Sequence, residues 1–221
     1  ADSELVRRQN RRVVLNALRQ HGPLARIELG RTTGLSPASI TSIASQLISE
    51  HILEELESTF PVAAVSKRGR PIVRLGITSN AAQVLAVNIS IDAVRLAIAD
   101  FNGKILHRTS VHIPTYNATA EGFGADVVNS IEDFLKTSGS SPRSIARIGV
   151  AVQGLADDKA GTLVWSPAFL AKDIPLTEPI TKRFGIPCLL ANDANMIAEG
   201  ILSDAPAKNR GTTATIFTGY G

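Results

Sequence analysis

This sequence predicts a two-part α/β chain. A winged helix-turn-helix comes first, followed by an α/β domain whose element order fits the actin-like, ribonuclease-H-like kind as well as other α/β sheets. Three observations carry the prediction. From Leu24 to Leu53, apolar residues recur at helical spacing on either side of a turn at Gly34. Two strand-like stretches with a basic turn between them come next. From residue 84 onward, three apolar strands give way to alternating helices and strands, the order of an α/β sheet. The boundary falls at the linker from Thr78 to Ala82, giving a DNA-binding domain over 1–78 and a second domain over 79–221.

The first helix is expected from Glu4 to Gln20, with Leu5, Val13, Val14, Ala17 and Leu18 on its buried side. Arg7, Arg8, Arg11 and Arg12 cluster on it, either as a solvated face or as phosphate contacts. His21-Gly22-Pro23 ends this helix. The second is expected to start at Leu24. It places Leu29 and Gly30 on its inner face, where Gly30 would let another helix approach closely. Gly34 can take the positive φ of a sharp turn, and Leu35 points back into the core. Ser36 is a good N-cap and Pro37 sits at N1, where its missing N–H does no harm.

Ile40, Ile43, Ala44, Leu47 and Ile48 then form an apolar face, leaving Ser39, Ser42, Ser45, Gln46 and Ser49 outside. A hairpin in a helical bundle would satisfy the same spacing. The flanking basic segments favour a helix that enters the major groove. After it, Ile52 to Leu56 and Ile72 to Ile77 are expected as strands, with Lys67-Arg68-Gly69-Arg70-Pro71 as the wing tip. Gly69 removes bulk between two arginines, which suits a narrow A·T-rich minor groove. A solvated basic turn is the alternative.

Charge supports this division. Residues 1–78 hold 11 Lys/Arg against 7 Asp/Glu, whereas 79–221 hold 12 against 13. The overall net charge of +3 therefore sits with the helix-turn-helix, as a phosphate footprint would. No Lys or Arg lies between Arg31 and Lys67. The third helix thus lacks the bidentate arginine–guanine contact, and base reading falls to Ser39, Thr41, Ser42, Gln46 and the methyl of Ala38. The expected DNA-contacting set is Arg7, Arg11, Arg26, Ser36, Ala38, Ser39, Thr41, Ser42, Gln46, Lys67, Arg68, Gly69 and Arg70. A single cysteine, Cys188, excludes an internal disulfide and a multi-cysteine metal site. No apolar run approaches the roughly 20 residues of a bilayer span and no secretory signal is visible, so a cytoplasmic protein is expected.

In the second part, strands are expected at Val84–Ile91, Val94–Ala99 and Ile105–Ile113, with a hairpin turn at 100–104. A helix follows from Glu121 to Thr137, then a strand from Ile145 to Val152 ending at Gln153-Gly154. Leu163-Val164-Trp165 is short and extended. A helix at Leu176–Phe184, a strand at Cys188–Ala191, a helix at Ala194–Leu202 and a strand at Thr212–Phe217 complete the order.

Several motifs now converge. Gly22-Pro23-Leu24-Ala25-Arg26 with Gly34-Leu35-Ser36-Pro37, Gly69-Arg70-Pro71, Ile148-Gly149-Val150 with Gln153-Gly154, Gly161-Thr162 with Ser166-Pro167, and Asn192-Asp193-Ala194-Asn195 together resemble the ROK family. That family comprises bacterial sugar kinases and sugar-responsive repressors, and the repressor branch adds an N-terminal winged helix. The resemblance implies a sugar rim at Gln153, Gly154, Asn192 and Asp193. In the kinases the residue matching Asp193 is the general base for the sugar hydroxyl, and its neighbour also contacts the sugar. Capping of the helix from Ala194 is the structural alternative for Asn192 or Asp193. Gln153-Gly154 stands where the family usually has Pro-Gly. Ala168 and Ala171 stand where the kinases often carry Asn and Trp.

The kinases open their sheet with an aspartate and Gly-Gly-Thr, where this chain has Asn88-Ile89-Ser90-Ile91-Asp92. Asn88 lacks the charge that helps hold Mg²⁺, and β-branched Ile91 stands where backbone must approach phosphate. Phosphoryl transfer depends on both, so no catalytic residue, cofactor or metal is expected. The family also continues past the position of Gly221 into a second lobe, so a chain truncated within the sugar domain is expected. The implied function is a sugar-responsive DNA-binding regulator, a repressor of carbohydrate genes. Its expected partners are a palindromic operator in double-stranded DNA, a sugar or sugar-phosphate effector and, as a homodimer or higher homo-oligomer, its own copies. A ROK sugar kinase with an accessory DNA-binding domain is the alternative.

Overall fold

Residues 2–57, 73–204 and 214–216 are described by the computed structural model, and they fall into two units, Ala1–Ala81 and Ala82–Gly221. In the first unit, α1 (Asp2–His21) leads to a two-residue strand β1 (Leu24–Ala25), then to α2 (Arg26–Thr33) and α3 (Pro37–Ser49). Strands β2 (Leu53–Glu57) and β3 (Val73–Ile77) follow, and the sheet order is β1-β3-β2, antiparallel throughout. Gly34 ends α2 at φ 72°, a left-handed conformation that costs glycine little. Ser36 caps α3 by accepting from the Ser39 N–H, with Pro37 in the first turn. Leu29, Ile40, Ala44, Leu47 and Leu75 are fully buried together with Val14 and Leu18 of α1. Each large apolar side chain among them stabilises the unit by about 1.5–3 kcal/mol relative to exposure.

Three expectations need correcting here. Leu5 and Val13 are exposed, because the core stripe runs through Val14, Ala17 and Leu18, and 100° per residue turns the other two away. Leu24 opens no helix; it pairs with Leu75 on the edge of β3. Gly30 gives no special approach, since an added Cβ would meet only the Leu35 carbonyl at 3.5 Å. The basic stretch Lys67 to Pro71, with Arg68, Gly69, Arg70 and then Ile72, lies outside the described residues.

The second unit is α/β. Strands β4 (Gln83–Ser90), β5 (Ala93–Asp100) and β6 (Ile105–His112) form an antiparallel meander. Helix α4 (Ala120–Ser138) leads into β7 (Ile145–Val152), and α5 (Thr177–Phe184) into β11 (Cys188–Asn192), before α6 (Asp193–Asp204). Strands β8 (Leu155–Asp157), β9 (Thr162–Trp165) and β10 (Ile174–Pro175) make a small sheet of their own, in the order β10-β9-β8. The main sheet runs β11-β7-β4-β5-β6, with β7 and β11 parallel to β4. Alternation places Leu85, Val87 and Ile89 of β4, and Val94, Leu96 and Ile98 of β5, on the core face. There Phe123, Val127 and Ile131 of α4 cover them, and Phe123 meets Phe169 edge to face with centroids 4.7 Å apart.

The boundaries differ from expectation where local chemistry intervenes. Ile91 falls in the turn after β4 rather than in the strand, and Ile113 lies just past β6. Leu176 precedes α5 instead of opening it. Strands β8 and β10 are too short to leave a periodicity in the sequence. Of the strand expected at 212–217, only 214–216 are described, and they form none. Among the described residues, no helix is long and apolar enough to cross a membrane.

Candidate nucleic-acid interface and ligand rim

The first unit presents the outer face of α3. Ala38, Thr41, Ser42, Ser45 and Ser49 are exposed, and Ser39 and Gln46 are partly covered. Several of the small polar groups have a local role. The Ser39 hydroxyl lies 2.9 Å from that of Ser36, Thr41 donates to the Pro37 carbonyl, and Ser49 donates to the Gln46 carbonyl. The face so built is slim and uncharged.

Three of the arginines expected to contact DNA, Arg7, Arg11 and Arg26, are each held by a partner in the same unit. Arg7 Nε donates to Gln46 Oε1 at 3.2 Å. Four residues further along both helices, Arg11 donates through both guanidinium nitrogens to the Glu50 carboxylate, one of these bonds being 2.7 Å. Arg26 pairs with Glu55 of β2 at 2.8 Å. The Arg11 hydrogen bonds hold the Glu50 carboxyl below the ordinary carboxylate range, and the same bonds raise the Arg11 pKa. Glu50 also sits just past the C-terminal end of α3, where a negative charge opposes the helix dipole, and Arg11 neutralises it. Arg8 and Arg12 are exposed, and neither makes an ion pair among the described residues. Sequence reasoning missed Glu50 and Glu55. The only signal for Glu50 was the shared spacing of Arg7/Arg11 and Gln46/Glu50, four apart on each helix; nothing in the sequence marked Glu55.

In the second unit the structure brings Gly154 and Asn192 together. The Asn192 Nδ2 donates to the Gly154 carbonyl at 2.9 Å, while its Oδ1 accepts from the Ala194 and Asn195 N–H groups at 2.9 and 3.2 Å. Asn192 therefore caps α6 and ties β11 to the turn after β7. Asp193 Oδ1 accepts from the Ala194 N–H at 2.8 Å. Gln153 stands beside Gly154, partly exposed. Gly154 has φ 124°, and a Cβ there would lie 2.2 Å from the Trp165 carbonyl oxygen, so only glycine fits.

The turn from β4 to β5 has a different character. Asn88 Oδ1 and Ser90 Oγ both accept from Arg95 Nη1, at 3.3 and 2.9 Å. Ile91 and Asp92 form the turn itself, Asp92 with φ 50° and Ile91 more than half exposed. The Asp92 carboxylate accepts from the N–H of buried Thr115 at 2.9 Å, and the Asp92 N–H donates to the Thr115 hydroxyl at 3.2 Å. This turn is stitched to the chain after β6, and its carboxylate is already in use. Cys188, at the start of β11, is partly buried, and desolvation pushes its thiol up to about 11. No cluster of three or more His, Cys, Asp or Glu suited to a metal occurs among the described residues.

Residues 84–221 match the ROK family. The xylose repressor of Bacillus spizizenii is 26% identical over 224 residues, covering 100% of this chain and 56% of the repressor. The DNA-binding transcriptional dual regulator NagC of Escherichia coli is 24% identical over 195 residues, 88% of this chain and 46% of that protein. The chain thus spans about half the length of the curated relatives it matches. Among solved structures, a ROK family transcriptional regulator described as a homolog of the E. coli MLC protein superposes with a TM-score of 0.66. It is 28% identical, covering 86% of this chain and 46% of its own.

Proposed function

The chain belongs to the ROK family, and from that premise we propose that it is the DNA-binding part and first actin-like lobe of a sugar-responsive transcriptional repressor. The single observation that carries this reading is α3. It is a Ser36-capped helix with Ile40, Ile43, Ala44 and Leu47 buried, and it presents uncharged hydroxyl and amide groups outward after a Gly34 turn. With β2 and β3 after it, the first unit reads as a winged helix-turn-helix, and we assign its wing tip, from the sequence, to Lys67-Arg68-Gly69-Arg70-Pro71. The similarity to proteins named xylose repressor, NagC and MLC homolog supports the same reading. Double-stranded DNA is its macromolecular partner, bound as a homodimer on a palindromic operator, and a sugar or sugar phosphate is its effector. The effector acts by binding DNA-competent and DNA-incompetent arrangements with different affinity.

Asp193, Gln153 and the Gly154 turn contribute to a sugar rim, with Asn192 as the residue that holds the rim in shape. Catalysis is not part of this reading. The Arg95 guanidinium occupies the Asn88 side chain, and Asp92 is committed to Thr115, so neither is disposed to hold Mg²⁺ and phosphate.

Selection from randomised duplex DNA, followed by anisotropy titrations at several salt concentrations, tests the DNA reading. An inverted repeat should emerge. Arg68→Ala combined with Arg70→Ala should weaken binding and flatten the salt dependence, by about 0.9 for each phosphate no longer neutralised. Unchanged affinity and slope in the double variant would remove the wing from the interface. Calorimetry with pentoses, hexoses, amino sugars and their phosphates tests the rim. Binding that survives Asp193→Ala at full strength would place the sugar elsewhere.

A further inference from the structure

Resting on the DNA-binding reading above, we propose that Arg7 is a positioning residue that fixes which way the Gln46 amide faces, and so selects the base that α3 reads. Arginine can only donate hydrogen bonds, so the Gln46 atom 3.2 Å from Arg7 Nε must be the amide oxygen. The orientation of this side chain follows from the pairing itself. Gln46 Nε2 is left with both N–H groups, and it makes no hydrogen bond among the described residues. A free glutamine in the major groove favours adenine, whose N6 amine it accepts while donating to N7. With its oxygen held by Arg7, Gln46 meets the groove chiefly as a donor. The base edge that suits it is one of acceptors, and guanine presents two adjacent ones at N7 and O6.

The Arg11–Glu50 pair is a second rung of the same ladder. Both pairs join residues 39 apart, and both advance by about one helical turn on α1 and on α3. Along this seam the two helices run in the same direction. The pair at the second rung holds α1 beside α3 one turn away, which keeps Arg7 within reach of Gln46.

The test uses the selected operator, with each of the four bases placed in turn at every position of one half-site. Wild type should prefer guanine at one position, and that preference should vanish in Gln46→Ala, which identifies the position. Arg7→Ala should lose about tenfold of the discrimination there and move the preference toward adenine, with the other positions unchanged. Arg7→Lys keeps a donor-only cation and should retain the guanine preference. A phosphate contact alone predicts a different pattern, in which Arg7→Ala weakens every half-site equally and leaves the ranking intact; that result overturns the proposal. So does an adenine preference in wild type at the Gln46 position. Failure of wild type to select any DNA sequence overturns the DNA-binding reading itself, and is distinguishable from both.

Discussion

The Asn192 side chain directs its amide nitrogen to the Gly154 carbonyl and its oxygen to two N–H groups at the start of α6. A residue matched by family resemblance to a sugar contact is thus also a structural clip between β11, α6 and the turn after β7. Replacement by Ala should remove the cap and leave the Gly154 carbonyl without this donor, costing about 1–2 kcal/mol of stability. Asn192→Asp keeps the cap acceptor and should cost less at the helix, while setting a carboxylate against a carbonyl. Urea denaturation midpoints of the two variants, compared with Asp193→Ala, separate clip from rim.

Gly154→Ala should be the more damaging change. It combines a φ of 124° with a Cβ 2.2 Å from the backbone oxygen of Trp165, and backbone cannot swing aside as a side-chain tip can. The strained conformation alone costs on the order of 1–3 kcal/mol. A thermal melt that matched wild type would contradict this geometry.

Glu50→Gln should strengthen DNA binding. It removes a negative charge at the end of α3 and releases Arg11 from its carboxylate. The salt dependence should steepen by about 0.9, one additional phosphate neutralised. Acid has the same effect: because the folded-state pKa of Glu50 is lowered, the pairing holds above the ordinary carboxylate range and is lost as pH falls through the depressed value. Salt-dependent anisotropy on wild type and variant checks both.

Restoring the kinase-like carboxylate should not restore chemistry. Asn88→Asp would form a salt bridge with Arg95, whose guanidinium already donates to this side chain, and Asp92 would stay on Thr115. A coupled assay for sugar-dependent ATP turnover should give the no-protein background for wild type and for Asn88→Asp. Turnover in either would revive the kinase reading.

Cys188 should alkylate slowly at pH 8, because burial keeps its thiol protonated until about pH 11. A thiol whose folded pKa is raised above its unfolded value of about 9 contributes stability that is intact below that value. The contribution fades as pH rises from there through about 11. Rates of maleimide labelling, native against urea-unfolded, measure the difference.

Much of this fold is legible in the sequence because burial imposes a period. The Ile40–Leu47 stripe, the alternation of β4 and β5, the Gly34 turn and the Ser36-Pro37 cap are all written locally. What escapes is pairing between distant segments. Nothing near Leu24 announces its partner Leu75, and Asp92 gives no sign of Thr115 twenty-three residues away. Gly154 stands in the sequence as a family signature, and only the Trp165 carbonyl explains it physically. The basic cluster on α1 is legible as charge but not as pairing. The acidic and amide partners of Arg11 and Arg7 lie 39 residues downstream, so net charge overstates what is free to meet phosphate.

The first turns of α1 carry a further consequence. Leu5 and Val6 are 62% and 53% exposed, so little apolar burial anchors the helix around Arg7, and exposed polar rungs contribute at most about 1 kcal/mol each. Such a segment opens locally, long before the core around Leu29 and Leu47 gives way. On warming, the clamp on Gln46 is then the first part of the interface to dissolve. On the proposed DNA-binding reading, titrations across temperature should show the ability to tell one base from another lost while the duplex is still gripped, a thermometer set by one exposed arginine–glutamine contact.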